Sequence, residues 1–83
     1  MGGSVDEGAR VNPEAIRKLV VGMVPAAESA RVETTRDRMA VYFICTIGGK
    51  AVCAFSEVVS IWLGSRTDEQ IAVVIAKQLE PAA

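Results

Sequence analysis

The sequence contains no histidine among its 83 residues. Histidine is the commonest general base near neutral pH and the commonest transition-metal ligand, so its absence removes the usual activation of serine and cysteine nucleophiles. The chain also lacks a glycine-rich phosphate-binding loop and a Gly-x-Ser-x-Gly turn. We therefore expect a protein that is not an enzyme and that holds no cofactor and no metal.

Cysteine is scarce too, because Cys45 and Cys53 are the only two in the chain. Two cysteines are too few for a disulfide framework, and their spacing fits neither a CxxC redox pair nor a zinc knuckle. We expect both to be small buried hydrophobes in the reducing cytoplasm. If they share one sheet face, a bridged pair or a soft-metal site is the alternative.

An excess of charge of one sign is missing as well, since nine basic and ten acidic side chains give a net charge of −1. Such a balance provides no overall field toward nucleic acid or an anionic membrane. The uncharged segment 19–27 is about half the length of a bilayer-spanning helix. Residues 1–10 lack the apolar core of a signal peptide. No membrane association is expected.

What the chain does contain is typical of a folded protein, with 51% apolar and 23% charged residues. Its length allows one domain with one core. Residues 1–11 are glycine-rich and without periodicity, so we expect a mobile arm there and a single domain over residues 12–83.

Two helices are predicted from their capping residues. Asn12 followed by Pro13 begins a helix that reaches about Val24. Thr67 and Gln70 form a capping box before a final helix, which Pro81 ends. Apolar residues recur at helical spacing in both, at Ala15, Ile16, Leu19, Val20, Met23 and Val24 and then at Ile71, Val74, Ile75 and Leu79.

Three strands are predicted between the helices. Residues 30–36 alternate in polarity, and residues 39–55 form two strands joined at Gly48-Gly49. A turn at Asp37-Arg38 sets Thr34 opposite Val41 and Val32 opposite Phe43. The fold class is therefore α+β, a two-layer α-β-β-β-(α)-α arrangement in which the terminal helices pack on one face of a three-stranded antiparallel meander.

The second hairpin has two possible registers. A two-residue loop puts Cys45 and Cys53 on opposite faces, and a three-residue loop puts them on the same face. We favour the three-residue loop, because it joins Ala51, Cys53 and Phe55 to the apolar set that the second strand buries. It leaves a reverse face that is apolar in its middle, formed by Arg31, Glu33, Ala40, Tyr42, Ile44, Thr46, Val52 and Ala54.

Residues 56–63 fit a helix or a strand, and we favour a short helix. Ser56 can cap it and Gly64 can close it. If the segment is strand instead, the third strand lengthens. Trp62 falls in this segment, where core packing is the simpler interpretation and a partner contact is the second.

The apolar middle of the reverse face predicts the function. We expect a small non-enzymatic interaction module that forms a homodimer or docks on a protein partner. Its contact residues are Tyr42, Ile44, Val52, Arg31 and Arg38, with Trp62 as a second candidate. By size alone, inhibitors encoded by phages and mobile elements, such as anti-CRISPR proteins, belong to this class.

The alternative is a nucleic-acid-binding accessory protein that uses Arg31, Arg36, Arg38 and Lys50. Glu33 and Asp37 interleave with these charges, so solvated strand edges and turns are the simpler interpretation. Nucleic-acid binding would weaken steeply with salt.

Overall fold

The computed structural model describes residues 11–60 and 64–83. Its sheet has three antiparallel strands in the order β1-β2-β3, followed by a small two-stranded sheet β4-β5. The elements in chain order are α1 (Pro13–Met23), β1 (Glu28–Thr34), β2 (Ala40–Ile47), β3 (Lys50–Glu57), β4 (Val59–Ser60), β5 (Gly64–Ser65), α2 (Asp68–Leu79) and a 3-10 turn (Glu80–Ala82).

The two helices lie on one face of the three-stranded sheet. Helix α1 contacts β1, α2 contacts β3, and the helices contact each other. Their buried side chains meet the inward residues of β2, above all Val41 and Phe43, in a single core. The predicted α+β fold with two layers is confirmed.

Helix α1 begins as its capping residues predict. The Asn12 side-chain oxygen accepts the first two free amides of the helix at 3.1 and 3.2 Å. Ile16 and Val20 are fully buried. Met23 is 46% exposed, so its predicted place in the buried stripe is wrong. Val11, assigned to the mobile arm, is half-buried and packs against the core, and residues 1–10 of that arm lie outside the described residues.

Helix α2 has the predicted capping box. The Thr67 hydroxyl accepts the Gln70 amide at 3.1 Å, and the Gln70 side chain accepts the Thr67 amide at 2.9 Å. Asp68 also accepts the backbone N–H of Asn12 at 3.2 Å, so the two helices begin side by side. The buried residues of α2 are Ile71, Ala72, Ile75, Ala76 and Leu79.

The first hairpin has the predicted register over residues 31–34, with Thr34 opposite Val41 and Val32 opposite Phe43. The pairing of Ala30 with Cys45, which the same prediction includes, falls where the register shifts, between Glu28 and Arg31. The turn of this hairpin is wider than two residues, since the Thr35 amide donates to the Ala40 carbonyl at 3.0 Å. Within the turn, the Thr35 hydroxyl and a backbone amide bond the carboxylate of Asp37, which lowers the pKa of Asp37.

The second hairpin corrects the favoured register. Ile47 pairs with Lys50 across a two-residue Gly48-Gly49 loop, and both glycines have positive φ, at 60° and 80°. This turn geometry matches the right-handed twist of the strands, whereas side-chain pattern, the only basis for the three-residue loop, does not include the twist. Cys53 consequently points away from the face that buries Cys45.

The predicted short helix at residues 56–63 is wrong for its described part. Ser56 belongs to β3, and the backbone of Val58 is bonded on both sides, donating to Met39 at 2.8 Å and accepting from Arg66 at 2.7 Å. Gly64 pairs with Ser60 in the β4-β5 sheet instead of closing a helix. The backbone N–H and C=O groups that a helix would need for its own hydrogen bonds are therefore bonded to other parts of the chain.

Candidate functional site

The sheet has a second face, and no helix in residues 11–60 and 64–83 covers it. We call it the outer face, and the cross-strand register defines its members as three columns, Glu28, Arg31 and Glu33 from β1, Ala40, Tyr42, Ile44 and Thr46 from β2, and Ala51, Cys53, Phe55 and Glu57 from β3. The β1 column is charged, while the middle of the other two columns is apolar.

Two partly exposed aromatic rings lie side by side on the outer face. Tyr42 and Phe55 are directly opposed on β2 and β3, with ring centroids 5.4 Å apart and planes tilted by 43°. Tyr42 is 40% exposed and Phe55 is 42% exposed. A tilted pair at this distance is a favourable aromatic contact that leaves both ring faces partly open.

Ile44 and Cys53 are the next opposed pair on the same strands. Cys53 is exposed and Ile44 is half-buried. Together with Tyr42 and Phe55 they form what we call the apolar strip. In a monomeric protein, the sheet face that is exposed to solvent normally carries polar residues. The apolar strip departs from that pattern.

The two cysteines differ in environment, and the expectation that both are buried is wrong for Cys53. Cys45 is 2% exposed, and burial, with a smaller effect of Cys53, raises the pKa of its thiol. The two thiols lie on opposite faces of the sheet, so neither a bridge between them nor a shared soft-metal site is possible without unfolding.

Of the predicted contact residues, the structure places Tyr42, Ile44 and Arg31 together on the outer face. Val52 is opposite Cys45 on the helix-covered face and packs against the core, so its predicted place on the open face is wrong. The predicted place of Ala54 on the open face is wrong for the same reason, since Ala54 is 2% exposed on the helix-covered face. Trp62 lies outside the described residues.

Arg31 and Glu33 lie next to the apolar strip on β1. The Nε atom of Arg31 is 3.5 Å from Oε2 of Glu33. Their side chains are 67% and 57% exposed, so this is a solvated surface ion pair that adds little to the stability of the monomer. It gives the outer face two opposite charges along one rim.

Both edges of the sheet carry features that oppose strand addition. On the β3 side, the Gln78 side chain accepts the Phe55 amide at 3.1 Å and donates to the Phe55 carbonyl, as a neighbouring strand would. On the β1 side, the register slips between Glu28 and Arg31, where Ser29 has φ of 54°. Bulges and occupied edge groups are common means of blocking edge pairing.

The basic residues proposed for nucleic acid are dispersed. Arg36 and Arg38 lie in the turn between β1 and β2, Lys50 lies at the opposite end of the sheet, and Arg31 is beside Glu33. Arg38 has φ of 61° and lines a shallow depression with Val11, Pro13 and Thr34, away from the apolar strip. These four basic residues do not form one shared surface, and the nucleic-acid alternative stays a prediction.

No family model, curated protein or solved structure matches this chain. What the outer face can bind therefore has to follow from its own side chains. None of the helices in the described part of the chain is long and apolar enough to cross a membrane. Within the same residues, no group of three or more His, Cys, Asp or Glu side chains is arranged to hold a metal ion.

Ala51, Cys53 and Phe55 are the outer-face residues that the sequence interpretation placed on the wrong side. A signal that would have found them was present, since Gly-Gly is one of the pairs that two-residue hairpin loops prefer. Giving the loop geometry precedence over the apolar grouping of β3 moves all three residues to the outer face.

Proposed function

We propose that this protein is a non-enzymatic interaction module that binds another protein surface through its outer face. The observation that supports this proposal is the apolar strip, which lies in the middle of a sheet face without a covering helix in the described chain. Aromatic residues that are partly exposed at the centre of a surface patch are typical anchors of protein interfaces.

The strip also has the mixed character of an interface. Aromatic and sulfur-containing side chains lie at its centre, and the charged residues Arg31, Glu33 and Glu57 lie at its rim. Apolar centres with polar rims are characteristic of protein interfaces, whereas a nucleic-acid surface would carry an excess of Lys and Arg. A cytoplasmic location, which is part of the proposal, would keep the exposed Cys53 thiol reduced.

A matched pair of variants tests the proposal. Phe55 on the outer face and Val73 on α2 are both 42% exposed, so replacing either with lysine removes an equally exposed apolar side chain. We expect Phe55→Lys to weaken binding at least about 10-fold, because it puts a charge at the interface centre. Val73→Lys should bind as the unchanged chain does.

The measurement has two arms, capture of partners from the source cells on immobilised protein and self-association by sedimentation. Circular dichroism and the protection of the buried Cys45 thiol show whether each variant is folded. The proposal requires an association, in at least one arm, that Phe55→Lys loses and Val73→Lys retains. If neither arm shows such an association, the proposal is wrong. If this chain is an inhibitor of phage or mobile-element type, the captured protein should lose its own activity when the chain binds to it.

A further inference from the structure

We propose that the surface bound to the outer face is that of a second copy of this chain, related by a two-fold axis that runs across the strands. The inference rests on the proposed function, because it names the partner of the same face. Its basis is the order of charges and side-chain sizes along the strands.

The cross-strand register arranges the outer face in rows. One row contains Glu33, Tyr42 and Phe55, and the adjacent row contains Arg31, Ile44 and Cys53. Two sheets packed face to face are separated by about 10 Å and keep their strands within about 30° of one another. A two-fold axis lying between the sheets and across the strands, midway between these rows, sets each row against the other row of the second copy.

The charged column becomes self-complementary in this arrangement. Arg31 of one copy faces Glu33 of the second, and Glu33 faces Arg31, so four charges alternate in sign. In the single chain the same two side chains form one exposed pair with a distance of 3.5 Å. Enclosure between two sheets removes part of the solvent screening that weakens that pair.

The apolar strip is complementary in size under the same operation. The large ring of Tyr42 faces Ile44 of the second copy, and the ring of Phe55 faces the small side chain of Cys53. Large side chains opposed to smaller ones interdigitate, which is how the inner faces of sheet sandwiches pack. At the two ends of the β3 column, Glu57 faces Ala51 of the second copy, so the operation does not bring the two Glu57 carboxylates together.

The alternative axis, which runs along the strands, lacks this charge match. Under that axis, Glu33 stays in the row that contains Tyr42 of the second copy, and the β1 strands of the two copies lie at opposite outer edges. Arg31 and Glu33 therefore face no opposite charge. Charge complementarity therefore favours the axis across the strands.

The size of the face predicts a weak dimer. Three strands of about eight residues give a flat area of about 360 Å², below the roughly 800 Å² per partner of a standard interface. Interfaces of this size are weak or transient, so we expect the chain to be monomeric when dilute and to dimerise when concentrated.

Charge variants test the arrangement. Arg31→Glu makes positions 31 and 33 both negative, and Glu33→Arg makes them both positive. Each variant alone faces like charges across the axis, so we expect each to dimerise at least about 10-fold more weakly than the unchanged chain. An equal mixture of the two variants places positive against negative and should restore dimerisation. The double variant Arg31→Glu with Glu33→Arg should also dimerise.

Sedimentation equilibrium at low ionic strength, from about 1 μM to about 500 μM, measures all of these. The inference is overturned if the unchanged chain stays monomeric, or if the single variants dimerise as well as it does. A monomeric chain that still captures a different protein, with loss in Phe55→Lys alone, would overturn the second copy as partner and leave the proposed function standing. Loss of neither association in Phe55→Lys would remove both.

Discussion

Cys45 and Cys53 have the same side chain and lie on adjacent strands, yet the sheet gives them opposite roles. Cys45 is buried beneath the helices, where desolvation raises the pKa of its thiol. Cys53 is exposed in the apolar strip. Reactivity of a thiol depends on its exposure and on its thiolate fraction, and both factors disfavour Cys45.

A thiol reagent added to the native protein should therefore react in two phases. We expect Cys53 to react fast and Cys45 to react at least about 100-fold more slowly, which corresponds to an opening free energy of about 2.7 kcal/mol. The absorbance of the coloured thiol that the reagent releases on reaction follows both phases. Cys53→Ser should remove the fast phase and Cys45→Ala the slow one, and equal fast rates for both thiols would contradict the structure.

At the scale of the elements, the Gly48-Gly49 turn decides which face of β3 is outside. Both glycines have positive φ, and a Cβ added to either meets no atom within 4 Å other than those of its own residue and chain neighbours, so the surrounding structure does not limit substitution there. The cost of a side chain at these positions is conformational. Gly22, near the end of α1, also has open space around it and has no positive φ.

The same change, glycine to alanine, should then have opposite effects at the two sites. Gly49→Ala is expected to destabilise the protein by about 1 kcal/mol, because the left-handed conformation crowds the new Cβ. Gly22→Ala should stabilise it by about 0.5 to 1 kcal/mol, because alanine loses less backbone entropy in a helix. Urea unfolding of both variants gives the free energies, and a Gly49→Ala variant at least as stable as the unchanged chain would refute the turn assignment.

At the scale of the whole molecule, residues 11–60 and 64–83 form two layers, in which the helices cover one sheet face and no helix of these residues covers the other. The helical layer is itself tied together where α1 and α2 begin, through the bond from the Asn12 amide to the Asp68 carboxylate. This bond satisfies a backbone donor of one helix with a side chain of the other.

Asp68→Ala should lower the free energy of unfolding by about 1 kcal/mol, because it leaves that donor to solvent and removes a negative charge from two helix starts. Asp68→Asn should cost less, since the amide oxygen still accepts the bond. Glu69→Ala, which removes a carboxylate from the same first turn, controls for the dipole effect. Equal losses for Asp68→Ala and Glu69→Ala in urea unfolding would argue against the link between the helices.

Local signals predicted most of the elements. The Asn12 cap, the Thr67 and Gln70 box and the first hairpin register depend on neighbouring residues, and all three were confirmed. The candidate face was predicted less completely, with Tyr42, Ile44 and Arg31 placed correctly and Val52 misplaced. Apolar residues occupy both faces of β3, so side-chain pattern alone does not fix the register of that strand.

The sequence by itself determined the two helix starts, the order of helix and strands and the alternation along β1 and β2, because each is set by interactions within a few residues. Only the tertiary structure decided that Cys53 and Phe55 face outward and that residues 56–57 and 59–60 belong to strands β3 and β4. Those outcomes depend on strand pairing and on the backbone bonds of Val58 to Met39 and Arg66, which join residues distant in sequence. The apolar strip, and with it the proposed interface, is a consequence of that pairing.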